Sequence, residues 1–407
     1  MNRDTLLIVG AGLETIPGIL QAKHMGLHVV VSDMDPYAPG FKHADEFIVA
    51  STYDVATTLE AAVNYHKTTR PINGVMCVAS DIPHTVAAIA DHLGLHGIPV
   101  EAANMAMDKL VMKDMYAAAG VPIPWYRPVG KISELKQIIR DKGYPLVLKP
   151  TDSRGARGVL LLTETLDLEW AYEYSLSYSQ SNRIMAERFL AGPQISTESL
   201  IIDGEIYTLG LSDRNYENLP ETLPHIVEDG GDLPSQHAQG YEQEIDELLL
   251  SAAKVMEVGN GVIKGDIVIS GGKPHIIELA PRLSGGYFCS HQIPLSTGVN
   301  FVEKAIKLAL GYPVDSAELK TRSNNAISQR YIFPSPGKVE KITGVKQAQH
   351  RQGIELCEIR LSPGDQISEV HNHPERGGVV IASGSSREEA CARATRAIQD
   401  IHIKTVI

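Results

Sequence analysis

Two carboxylates stand out in the stretch GVIKGDIVISGGKPHIIELAPRLSGG, residues 261–286. Two apolar runs flank Gly271-Gly272, a pair suited to a tight hairpin turn. Asp266 and Glu278 each lie six residues from Gly272, so pairing around the turn sets them opposite one another. Cross-strand partners share one face of a sheet, with Cβ atoms ~5 Å apart. Both acids sit among apolar neighbours: Ile267, Val268, Ile276, Ile277 and Leu279. Carboxylates this close repel, and burying them is costly unless a cation or a proton intervenes. Mg²⁺ is the simplest remedy, because it binds through one or two carboxylates and completes its shell with water and nucleotide phosphates. Arg282 follows Glu278 by four residues and carries a planar fork that fits phosphate or carboxylate.

A second set of residues matches that chemistry. KPTDSRGARGVLLL, residues 149–162, interrupts two apolar runs with a loop far longer than the two residues a hairpin needs. With Arg154, Gly155, Arg157 and Gly158 the loop is flexible and positive, and such a loop can fold over phosphates. Lys149 follows the apolar run PLVL, and Lys109 opens an alanine-rich helix. Alone, either lysine reads as a solvated surface charge. With the loop and the acid pair they supply cations and backbone N–H groups for phosphates and carboxylates for Mg²⁺.

The elements that must position these groups follow from periodicity and turn residues. LLIVGAG is a buried strand and tight turn, then a helix runs to Met25 with Gly26 as its cap, and LHVVVSD and GVMCVA are further strands, the last followed by a helix to about Leu93. This alternation implies a parallel sheet with helical crossovers. GAGLET has Thr15 where a dinucleotide fingerprint needs its third glycine, so a turn without phosphate is expected. Asp108 caps the helix that carries Lys109. Ile195 to Arg214 forms a hairpin turning at Asp203-Gly204, and helices are expected over Leu166 to Ser179, Tyr241 to Val258 and Phe301 to Leu310. Ser386 with Glu389 reads as a capping box for a last helix. His371-Asn372-His373 reads as a polar turn before the strand GVVIASG, not as a metal site.

The ordered set of a lysine, a second lysine, a glycine-rich loop, an acidic hinge and an acid pair ending in E-x-x-P-R resembles the ATP-grasp superfamily over nearly the whole chain. The resemblance implies an α/β fold in three parts. A Rossmann-like N-terminal domain would span 1–105. An ATP-grasp domain with a glycine-rich lid at about 114–190 would span 106–314. A small α+β C-terminal domain, similar to that of the biotin-carboxylase-like and L-amino acid ligase-like branch, would span 315–407. Residue by residue, it implies that Lys109 and Lys149 contact ATP phosphates and that Thr151 to Gly158 close as a lid. Glu187 in MAERFL would accept from the adenine amino group, the backbone of Phe189 or Leu190 would bond the ring edge, and Glu198 would lie near the ribose. Asp266 and Glu278 would hold Mg²⁺, with Mn²⁺ as an alternative. Arg282, and Arg330 in SQRYIFPSPGK, would bind the transferred phosphate or the substrate carboxylate. Lys264 stands where amino-acid ligases of the superfamily often carry histidine and would face the acyl phosphate or that carboxylate. Glu221 and His225 would border the acceptor pocket.

Two departures bear on the metal: Ala280 stands where asparagine is usual, and Asp266 where glutamate is commoner. A biotin carboxylase needs a glutamate base just after the arginine. Here Leu283-Ser284-Gly285-Gly286 follow, which excludes that proton transfer and implies room for a bulkier substrate. The expected activity is an ATP- and Mg²⁺-dependent ligase joining a small carboxylate, such as an amino acid, to an amine through an acyl phosphate. The alternatives are an enzyme using another nucleophile and a non-catalytic nucleotide sensor, and the intact acid pair and lysines argue against the sensor.

Bulk properties agree. A net charge of −12 excludes a protein whose main partner is nucleic acid, which needs a basic footprint. The N-terminal apolar run is too short for a membrane span or a leader. The four cysteines form no C-x-x-C and read as reduced core residues of a cytoplasmic protein. The resemblance also implies a homodimer.

Overall fold

The computed structural model describes residues 3–406. The N-terminal strands Thr5–Val9, His28–Asp33 and Gly74–Cys77 are parallel, and a strand the sequence hides, Glu46–Val49, adds one edge, giving the order Glu46–Val49, His28–Asp33, Thr5–Val9, Gly74–Cys77. Leu6, Leu7, Ile8 and Val9 are all fully buried, because helices cover both faces of a parallel sheet and every position of a central strand must be apolar. In the turn after the first strand Asp33 accepts from the Ala11 N–H at 2.9 Å, and Glu14 accepts from the Gly286 N–H at 2.6 Å. Asp33 thus takes a backbone donor of this turn for itself, and Glu14 ties the turn to the segment after Arg282.

The centre is one antiparallel sheet of eight strands. In spatial order these are Lys273–Ala280, Gly261–Ser270, Gln194–Ile202, Glu205–Asn215, Gly230–Leu233, Ala326–Ile332, Gly378–Gly384 and Ile354–Ile359. The last three come from beyond residue 314, so the C-terminal part continues the central sheet instead of standing apart from it. Helix Glu242–Val255 buries Ile245, Leu248, Leu249 and Ala252 against this sheet's apolar face. The other face is left for chemistry.

The lid is a separate antiparallel sheet, Tyr126–Val129, Ile184–Arg188, Leu146–Pro150 and Leu160–Leu162, packed on helices Ile132–Lys142 and Leu168–Ser177 around its own core of Leu135, Ile138, Leu146, Leu148, Leu160 and Ala171. A separate core makes it a body of its own. Asp108 caps helix Lys109–Ala118 by accepting from Leu110 N–H at 2.9 Å and Val111 N–H at 3.2 Å, which fixes the start of the helix bearing Lys109. At the last helix, Arg387–Asp400, Ser386 caps as expected, but Glu389 returns its bond to Ser385 N–H and not to Ser386. Among the described residues no helix is long and apolar enough to cross a membrane.

The acid hairpin owes its register to a feature the sequence does not announce. Gly271 and Gly272 both have positive φ, as a two-residue turn of this hand requires, and Ser270 pairs with Lys273. Continued regularly, that pairing would put Ile277 opposite Asp266. A bulge at this point gives the second strand one extra residue, and Asp266 meets Glu278.

The return from the lid to the central sheet passes through Gly192, φ +144°, where a Cβ would collide with the Ile269 carbonyl oxygen. Gly204, φ +81°, turns in open space. Gly204→Ala should therefore cost only the left-handed penalty, roughly 1 kcal/mol, and Gly192→Ala at least about 3 kcal/mol, as measured by urea unfolding. Equal costs would show that the chain can shift at Gly192.

Candidate active site

The free face of the central sheet gathers the ionisable groups by register. Asp266 lies beside Ser196, which lies beside Ser212, and Glu278 lies on the far side of Asp266. Alternation then brings Lys264 and Arg214 to the same face. Asp266 is ion-paired with both Arg214 and Lys264. Burial opposes its ionisation, but those two cations outweigh burial and hold its carboxyl well below the usual carboxylate range. Glu278 receives Lys109 Nζ at 3.1 Å. Lys109 Nζ also donates to the Ser153 carbonyl oxygen at 2.6 Å, which ties the lid loop to the acid pair. The paired acids are thus balanced by three protein cations.

The second lysine belongs to a buried node. Lys149 Nζ donates to Glu187 Oε1 at 3.0 Å, and Lys113 Nζ lies 2.5 Å from Glu187 Oε2. All three are almost wholly buried. Burial alone would raise the Glu187 carboxyl, but Lys113 and then Lys149 bring it below its ordinary value. Burial pulls the Lys113 ammonium down to about 8 in spite of Glu187. Glu187 here anchors two lysines, so its carboxylate does not stand free to meet a base edge, contrary to expectation. The hinge residues Phe189 and Leu190 do line a slot, with Val147, Lys149, Val268 and Ile277.

This slot, of 140 Å³, and a wider pocket of 530 Å³ meet at a constriction. Arg154, Gly155, Arg157, Arg214, Asp266 and Glu278 line both. Gly158 turns at the lid's base, φ +73°, against Pro150 and Tyr178. Lys264 and Arg282 line the wider pocket, and Arg282 donates from Nε to Asp81 Oδ1 at 2.7 Å, reaching the N-terminal sheet. The walls opposite are Glu14, Tyr53, Gln329, Tyr331 and Arg360.

Several expected residues lie elsewhere. Arg330 points to the opposite face of its strand, where it forks onto Asp232 at 2.9 and 3.2 Å, while its neighbours Gln329 and Tyr331 face the pocket. Alternation along a strand made that choice, and a one-residue offset changes the face. Glu198 is fully buried and accepts from Ser284 N–H at 3.0 Å, bracing the segment after Arg282 instead of meeting a ribose. Glu221 is exposed on a short helix and lines neither cavity. His225 packs outside the cleft, stacked on His371 with ring centroids 4.0 Å apart. Gly285 and Gly286 line the wider pocket, and a side chain there would meet its walls: a Cβ on Gly285 would lie 2.9 Å from Glu14 Oε2, and one on Gly286 would overlap the Tyr331 hydroxyl.

Sequence reasoning missed Lys113, Arg214, Glu228, Gln329 and His373. Arg214 had a signal, since it ends a strand whose partner register leads to Asp266. His373 lay in a motif read only as a turn. Its imidazole faces the cleft, and burial, with Arg376 and Arg214 nearby, pushes it well below the ordinary histidine value. Among the described residues no group of three or more His, Cys, Asp or Glu side chains forms a metal cage. Two carboxylates suffice for Mg²⁺ when phosphates and water supply the remaining ligands, so the donor set fits that ion.

Residues 106–286 match the ATP-grasp domain family, 19–97 the ATP-grasp N-terminal domain and 330–406 the L-amino acid ligase C-terminal domain 2. The chain is 24% identical over 413 residues to the formate-dependent phosphoribosylglycinamide formyltransferase of Shewanella frigidimarina, covering 98% of this chain and 95% of that one. Its fold is similar to the L-amino acid ligase from Bacillus licheniformis, with a TM-score of 0.83, 22% identity and 100% of both chains covered. It is similar also to the biotin carboxylase domain of the Hydrogenobacter thermophilus 2-oxoglutarate carboxylase, with a TM-score of 0.76, 19% identity and coverage of 100% of this chain and 92% of that one. That structure is of a domain dimer in complex with MgADP, ADP and bicarbonate.

Glu198 gives a pH test. Burial pushes its carboxyl up to about 7 from an ordinary 4.5, with the bond from Ser284 acting against the rise. Below 4.5 both folded and unfolded chains hold the proton. As pH rises toward 7 the unfolded chain loses it first, so this group's stability is lost across that window. Glu198→Gln keeps an acceptor for Ser284 and cannot ionise. Its stability relative to wild type should improve by roughly 2 to 3 kcal/mol between pH 5 and pH 8, read by urea unfolding. A pH-independent difference would contradict the buried neutral acid.

Proposed function

Because the chain belongs to the ATP-grasp superfamily of ligases, we propose that it uses ATP and Mg²⁺ to join a small carboxylate to an amine, releasing ADP and phosphate, with an acyl phosphate between. The observation that carries this reading is the constriction. Opposed Asp266 and Glu278, with Lys109, Lys264 and Arg214 around them, stand where an apolar slot opens into a wide polar pocket. A phosphoryl group passes between two oxygens with little covalent help, so the protein's task is to place both oxygens and balance their charge.

The apolar slot beside Phe189 and Leu190 takes the adenine, its ring edge bonding to their backbone. Lys149 and Lys109 hold the phosphates, and the lid loop with Arg154 and Arg157 covers them. Asp266 and Glu278 hold Mg²⁺, which when bound neutralises charge on the transferring phosphoryl group. Lys264 and Arg282 hold the substrate carboxylate at the mouth of the wider pocket, where its oxygen attacks in line. The closed lid keeps water from the acyl phosphate until the amine arrives. The carboxylate and the amine are amino acids or related small metabolites, a reading supported by the match of residues 330–406 to the C-terminal domain of L-amino acid ligases. The likeness to the domain dimer supports a homodimer.

ADP release should be measured with Mg²⁺-ATP against a matrix of carboxylates and amines, with product masses. One pair should turn over where neither partner alone does, with a product mass equal to the sum of the two less water. An ADP signal that depends on one partner only, or a product lacking the amine, would overturn the amide reading. Asp266→Ala and Glu278→Ala should each lower that turnover about 100-fold or more with the melting transition retained.

A further inference from the structure

The constriction is built from three sources: the lid loop, the acid-bearing face of the central sheet, and a single residue of the C-terminal part, His373. Among the described residues, His373 is the one position beyond Glu278 that lines the narrow slot as well as the wide pocket. Its main chain and its side chain touch different machines. The His373 N–H donates to the Gly155 carbonyl oxygen of the lid at 3.0 Å. The next residue, Pro374, packs so closely that a Cβ on Gly155 would lie 3.2 Å from its ring. On the other side the His373 Nε2 faces the Glu228 N–H at 3.5 Å. Glu228 in turn receives Arg214 Nη2 at 2.7 Å, and Arg214 is ion-paired with Asp266. One residue therefore joins the lid tip to the charge network of the acid pair.

The position of the loop gives this contact its consequence. Arg154, Gly155 and Arg157 line the slot from the lid side. A lid loop that lifts to admit a nucleotide must separate Gly155 from His373. Closure over the nucleotide brings them together again. The side chain anchored at Glu228 fixes where the lid stops.

We propose that His373 is a positioning residue that locks the closed lid to the reaction pocket, so that phosphoryl transfer occurs only in the water-excluded state. It rests on the ligase reading for its catalytic consequence, but its structural half can be tested alone.

Two measurements on the full chain decide it. The first is hydrogen–deuterium exchange of residues 153–158 with and without Mg²⁺ and the non-hydrolysable ATP analogue AMPPNP. Wild type should gain at least tenfold protection on adding the nucleotide. His373→Ala should lose most of that gain, and His373→Gln, which keeps a neutral acceptor of similar reach, should restore it. Gly155→Ala, which presses on Pro374 from the lid side, should lose it as well and serves if His373→Ala does not fold. The second is the ratio of ADP to amide product, near one in wild type and several-fold higher in His373→Ala. Lid protection in His373→Ala and Gly155→Ala within twofold of wild type would overturn the proposal, whatever the catalytic result. A wild type that makes no amide from any pair would defeat the ligase reading instead, and the exchange comparison would still decide the role of His373.

Discussion

Two carboxylates set opposite one another on a partly buried hairpin repel, and positive charge between or around them offsets that cost. Much of the cleft answers to that constraint. Lys109 arrives from the first turn of a capped helix, Lys264 from the same strand as Asp266, and Arg214 from two strands away. These cations take up the charge that a divalent ion would otherwise neutralise. On the proposed reading, such an ion would release the lysines from the acids beside the atoms that carry new negative charge.

The lid is bound into the same balance. Its loop is held through Lys109 to Ser153, and its strands carry Lys149 and Glu187, which meet Lys113 of helix Lys109–Ala118 in a buried node. A buried acid between two lysines is costly to break, since removing one partner strands a charge. That makes the node a fixed support for the loop, and the lid's separate hydrophobic core adds to it.

Much of this was legible in the sequence, for identifiable reasons. The parallel N-terminal strands showed as unbroken apolar runs, and the acid hairpin showed as two such runs around Gly271-Gly272. The acid pair was found by counting from the turn, although the register that realises it depends on a bulge at Ile277 that no residue type signals. Arg330 was misplaced because the face of a strand is set by parity with a partner strand about a hundred residues away, and Glu198, which does share the face of Lys264 and Asp266, because the Ser284 N–H that engages it comes from a segment 86 residues on. Glu187 was misjudged because Lys113, four residues along a helix from Lys109, approaches it only in three dimensions. The glycines after Arg282 do line the wider pocket, but only the fold shows that Glu14 and Tyr331 from distant segments stand beside them. Local pattern fixed the elements, and long-range packing fixed which atoms meet.

The most direct measurement is Mn²⁺ binding by electron paramagnetic resonance, with AMPPNP present, in wild type and in the Asp266→Asn/Glu278→Gln double variant. Wild type should bind Mn²⁺ at least tenfold more tightly than the double variant, and only when the nucleotide is there. Equal affinity in the two proteins would contradict the assignment of this acid pair as the metal-holding centre of the cleft.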